Sequence, residues 1–141
     1  KACTKLQGQL LTGPTTNAQM ASIEALNADQ RCVKDMLVAF KRRKDLIMDL
    51  MKDIPGIETV EPEGAFYVFP KVDAYFGKSY GGKKIESSND LCLFLLEEGH
   101  IGTVPGEAFG EPTCIRISFA TSDDKIIEAI RRMKEALAKL H

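Results

Sequence analysis

The stretch Val104–Ala120, VPGEAFGEPTCIRISFA, decides how the rest of the chain is read. Its last seven residues form a strand pattern. A period of two puts Ile115, Ile117 and Phe119 on one face, and Cys114, Arg116, Ser118 and Ala120 on the other. An arginine therefore stands mid-strand on a face of small residues. Arginine is seldom buried unless paired, and its planar fork matches a carboxylate through two parallel hydrogen bonds. Two readings stay open at this point. Arg116 pairs with one of the chain's own Asp or Glu residues, the commoner arrangement, or it faces outward to receive a substrate carboxylate. Upstream, Gly106 and Gly110 bracket Glu107-Ala108-Phe109. That spacing suits a tight loop that lets backbone approach a ligand, or a plain Pro-Gly turn between strands.

Working outward, Ser122-Asp123-Asp124 caps a final helix that places Ile126, Ile130, Met133, Leu137 and Leu140 on one face. Ile101–Val104 reads as a short strand. Ser87-Ser88-Asn89-Asp90 caps a helix through Glu98 that Gly99 ends. Ala65–Phe69 is apolar on both faces, hence a central strand, in which Tyr67 packs in the core, the commoner arrangement, or projects its hydroxyl into a site. The 71–86 stretch reads as a loop. Within it Gly77 to Lys84 mimics a phosphate-binding loop, but no helix starts on its lysine, and a surface hairpin or loop is the better reading. Ile23, Leu26, Val33, Leu37, Phe40, Ile47 and Met51 recur at helical spacings. Thr16-Asn17-Ala18-Gln19 fits the start of that run, and Asn27-Ala28-Asp29 divides it into two helices or bends one. Ile54-Pro55-Gly56 ends it. Residues 1–12 read as the frayed end of something larger. The class expected is α+β: a small mixed sheet with helices packed on it, preceded by a long helix, straight or bent.

The 141 residues suffice for one domain with its own core. Lys+Arg 19 against Asp+Glu 20 leaves no basic excess to grip nucleic acid or an anionic bilayer. No apolar run approaches the roughly 20 residues that span a membrane. The cysteines at 3, 32, 92 and 114 form no CxxC pair, and with two histidines no zinc spacing exists. Their scatter favours reduced thiols in a cytosol, with Cys32, Cys92 and Cys114 as core filler. No Ser-His-Asp, Cys-His or paired-carboxylate pattern is evident, so the residues alone name no catalytic group.

Taken in order, Leu6-Gln7-Gly8-Gln9, Thr15-Thr16-Asn17-Ala18-Gln19, Glu63–Pro70 (EGAFYVFP), Pro105–Gly110 (PGEAFG) and Arg116–Ala120 (RISFA) resemble the C-terminal part of fold-type I, pyridoxal-phosphate-dependent class I aminotransferases. Within these the chain is most similar to the bacterial aspartate aminotransferase group. The resemblance covers essentially the whole chain. It implies that Arg116 binds the α-carboxylate of an amino-acid substrate. It implies that Phe109 and Gly110 line the mouth of the site, and that Thr16 and Asn17 lie near a neighbouring subunit's site in a homodimer. It divides the chain into 1–17, a tail of the large cofactor domain; 18–52, a connecting helix region; and 53–141, the small domain, which closes over the substrate.

The resemblance also implies what these residues lack. The family's Schiff-base lysine sits in a Ser-x-x-Lys stretch upstream of Lys1, as do the residues holding the phosphate and the pyridine ring. The expectation is a C-terminal piece of a cytoplasmic transaminase that acts on an amino acid and a 2-oxo acid with pyridoxal 5′-phosphate. Alone, it neither holds that cofactor nor transaminates. Two alternatives are another lyase or decarboxylase using the same cofactor and fold, and a non-catalytic ligand-binding or oligomerisation domain.

Overall fold

A computed structural model describes residues 1–10 and 13–141; Leu11 and Thr12, part of the 1–12 stretch, lie outside the described residues. The chain divides into two compact units, Lys1–Asp35 and Met36–His141.

The first unit is helical. Where a frayed end was expected, α1 spans Ala2–Leu10, and α2 follows over Thr16–Asn27. The cap of α2 is Thr15 rather than Thr16. Its backbone is extended, its hydroxyl accepts from the Ala18 N–H, and the Gln19 amide donates to the Pro14 carbonyl instead of closing a capping box. The expected division comes at Ala28, where the backbone turns extended (ψ 169°). Asp29 then accepts the Arg31 N–H at 2.9 Å and starts α3, Arg31–Met51. Cys32 is exposed in that first turn, so the core-filler reading fails there.

The second unit holds the core. The C-terminal half of α3 buries Ile47 and Met51. Strand β1 (Tyr67–Val68) pairs with β5 (Ile115–Ser118), which pairs with β4 (Val104–Pro105), giving the order β1-β5-β4. The α+β class is as expected. Both pairings are antiparallel, however, where a mixed sheet was expected. The 106–114 connection between β4 and β5 is too short for the crossover that a parallel pair needs. Val68, Ile115 and Ile117 turn to the buried face.

Two strands are shorter than their apolar runs. Ala65 adopts φ +63°, so extended backbone starts only after it, and β1 pairs on one side alone. The central strand is β5, not the Ala65–Phe69 run. Phe66 and Tyr67 are accordingly 52% and 38% exposed, not core residues. Ile101 donates its N–H to the Leu95 carbonyl, which ties it to a helix end and leaves only Val104–Pro105 to pair as β4.

Residues 71–86 are more than a loop. A 3₁₀ turn at Asp73–Tyr75 is followed by a hairpin of β2 (Ser79–Tyr80) and β3 (Lys83–Lys84). Its two-residue tip, Gly81-Gly82, takes φ +56° and +80°, the geometry that favours Gly-Gly in such turns. No helix starts at Lys84, which removes the phosphate-loop likeness. Helix α4 runs Ser88–Gly99, capped by Ser87, whose hydroxyl accepts the Asp90 N–H. His100, not Gly99, takes the left-handed position past its end (φ +54°). Gly99 is needed for packing: a Cβ there would lie 3.2 Å from Ile101 and 3.5 Å from Ala136 of α5. Helix α5, Asp123–Leu137, buries Ile126, Ile130, Met133 and Leu137 as its periodicity predicts.

Candidate functional site

The site is built on the exposed face of β5. Arg116 lies opposite Val104 of β4, and Ser118 lies opposite Tyr67 of β1. Arg116 and Ser118 are two residues apart, so they share a face. Tyr67 is therefore the diagonal cross-strand neighbour of Arg116. The guanidinium carbon stands over the Tyr67 ring at 5.4 Å from its centroid.

A second ring arrives from the 106–110 loop. Pro105 and Gly106 turn the chain out of β4 into a 3₁₀ turn, Gly106–Phe109. Gly106 is packed against backbone: it donates to the Cys114 carbonyl at 2.8 Å and accepts the Glu111 N–H at 3.1 Å. Gly110 closes the turn at φ +83°. Glu111 accepts from both the hydroxyl and the N–H of Thr113, and those bonds hold its carboxyl below the usual range. The loop thus folded delivers Phe109 to 4.4 Å from the Arg116 guanidinium carbon. Phe109 in turn packs edge-to-face on Phe69, with centroids 6.0 Å apart.

Arg116 makes no ion pair and no hydrogen bond through its guanidinium among the described residues. The internal partnership left open by the sequence is therefore not what these residues form. The other surface arginines of this unit that face acids are engaged. Arg42 meets Asp123 at 2.9 Å, and Arg131 and Arg132 share Glu128.

The structure brings Arg116 and Phe109 together, with Gly110 ending the turn that carries Phe109. Thr16 and Asn17 open α2, exposed, in the other unit. Of the two readings open for Tyr67 the core one fails: an aromatic in an apolar run reads as core until the strand register shows which face it shares. Cys92 and Cys114 are buried as expected, and burial pushes both thiols up.

Four cavities among the described residues do not have Arg116 in their walls, although one of about 490 Å³ is bordered by its strand neighbours Ile117 and Ser118. One of about 690 Å³ lies between α3 and residues 61–65, and one of about 500 Å³ lies under the β2–β3 hairpin. No three His, Cys, Asp or Glu side chains gather to hold a metal among the described residues. No helix among them is long and apolar enough to cross a membrane.

The described residues do not fit a pyridoxal phosphate site. Capture of that cofactor needs an amine whose pKa is lowered by desolvation or by neighbouring cations. No lysine among the described residues is buried, and Lys44, Lys52, Lys71 and Lys139 are pushed up by the hydrogen bonds they donate to carboxylates.

Residues 1–133 match the family model for aminotransferase class I and II, and the chain belongs to that family. It is 41% identical over 141 residues to a probable aspartate/prephenate aminotransferase of Rickettsia felis, covering 99% of this chain and 34% of that protein. It is 39% identical to an aspartate aminotransferase of Rhizobium meliloti, again over 99% of this chain and 34% of the relative. A crystal structure of an aspartate aminotransferase from Rhizobium meliloti superposes with a TM-score of 0.88 at 39% identity, over 96% of this chain and 34% of that one. An alanine aminotransferase from Pyrococcus furiosus superposes with a TM-score of 0.77 at 31% identity, over 89% of this chain and 30% of that one. The chain spans about a third of the length of these relatives.

Proposed function

We propose that this chain supplies the substrate-carboxylate grip of an aspartate-type aminotransferase, which moves an amino group between an amino acid and a 2-oxo acid. The observation that carries this reading is Arg116 itself: a guanidinium with no acid partner among the described residues, on an exposed sheet face, in a chain of this family. A carboxylate bound to it in two parallel hydrogen bonds is fixed in position and in orientation. That fixes the rest of the substrate relative to the reacting groups, which is where much of the rate gain in such reactions arises.

In this reading pyridoxal phosphate, bound by residues other than these, supplies the electron sink. Residues 53–141 act as a small domain, 18–52 as a connecting helix, and 1–17 as the tail of a cofactor domain. Thr16 and Asn17 serve the neighbouring subunit's site in a cytoplasmic homodimer. The relatives named for aspartate support that amino acid as substrate.

The test is Arg116→Ala in the full-length protein with L-aspartate as amino donor. The expected outcome is a fall in kcat/KM of about 100-fold or more, the equivalent of about 3 kcal/mol, with the melting temperature retained. Kinetics within twofold of wild type would remove Arg116 from the site.

A further inference from the structure

We infer that Tyr67 and Phe109 form an aromatic brace that positions the Arg116 fork; the inference rests on Arg116 being the carboxylate grip. The guanidinium carbon lies over both rings, at 5.4 Å from the Tyr67 centroid and 4.4 Å from that of Phe109. The rings come from separate elements. Tyr67 is set by the β1–β5 register, and Phe109 is set by the Gly106–Gly110 turn and its edge contact with Phe69.

A guanidinium meets an aromatic ring through its flat face, because the ring's negative face attracts the delocalised charge. Its N–H donors lie in the plane and point outward at the edge. Contact of that kind leaves the in-plane donors free. A long, four-torsion side chain that would otherwise sweep through solvent is held where its fork can meet a planar anion, and less freedom is lost when the anion binds. This accounts for two large aromatics left 38% and 48% exposed beside Arg116, whose guanidinium no acid neutralises among the described residues. Tyr67 and Phe109 are positioning residues: they act on the carboxylate through Arg116.

The experiment is a mutant cycle in the full-length protein, read as KM and kcat for L-aspartate, with thermal melting as the folding check. Tyr67→Leu and Phe109→Leu each raise KM by about fivefold, with kcat changed by less than about twofold. Tyr67→Phe keeps the ring face and restores the KM lost in Tyr67→Leu. In the Arg116→Ala background the two leucine substitutions add nothing further to KM. A KM unmoved by either leucine substitution, while Arg116→Ala still cuts kcat/KM, overturns the brace and leaves the grip standing. Equal effects with and without Arg116 also overturn it, because the rings would then serve the fold alone. An Arg116→Ala protein with unchanged kinetics overturns the grip and the brace together.

Discussion

At Gly106 the main chain passes closer to itself than any side chain permits. A Cβ there would lie 2.1 Å from the Glu111 carbonyl oxygen and 2.4 Å from that of Cys114. Both obstacles are backbone, so relief requires the turn to open, and overpacking of that kind is costly. Gly106→Ala is expected to lower unfolding free energy by about 3 kcal/mol, read as a lower urea midpoint. Gly64, with nothing within 4 Å of its Cβ position, is the control: Gly64→Ala is expected to stay within about 0.5 kcal/mol of wild type. At this scale the sequence marks Gly106 and Gly110 as a bracketed turn, but not why each is needed. Gly110 needs its positive φ, whereas Gly106 needs an empty place on its Cα. Nor does the sequence show Arg116 to be unpaired, since that depends on where twenty acids end up in space.

Among the elements, helices declare themselves and strands do not. Helix α5 carries its apolar stripe over four turns, so its periodicity survives any local detail. The paired strands are two to four residues long, too short for a period of two to fix which is central. The exposed side of α5 offers a test by pH. Arg131 and Arg132 donate to Glu128, and those bonds hold its carboxyl at about 2 against an ordinary 4.5. A carboxyl whose folded value lies below its unfolded one contributes stability that is complete above the unfolded value and is lost as pH falls through the folded one. The stability gap between wild type and Glu128→Gln is therefore expected to be level above about pH 5, to shrink below that, and to vanish near pH 2. The gap is small, since the groups are exposed, and added salt narrows it further. Chemical denaturation across that range checks it. A gap unchanged from pH 7 to pH 2 would show that the network contributes nothing.

For the molecule as a whole, the order of elements from α3 onward and the α+β class were legible, because each rests on local chemistry, whereas the sequence leaves open whether the run before α3 is divided or bent and whether 77–84 is a loop or a hairpin, and it hides α1. The antiparallel sheet order and the exposure of Tyr67 were not, because both follow from pairing between residues about fifty positions apart. The site was legible in part for the same reason: Arg116 stands out along the chain, while the two rings around it come from elsewhere. The central claim is that this guanidinium recognises a substrate's α-carboxylate, and a cycle between protein and substrate tests it most directly. In the full-length protein, kcat/KM is measured for L-aspartate and for its 1-amide, which lacks that charge, with Arg116 present and with Arg116→Ala. The account predicts that wild type prefers the acid by at least about 100-fold and that the alanine variant prefers it by less than about threefold. An alanine variant that discriminates as strongly as wild type would contradict it.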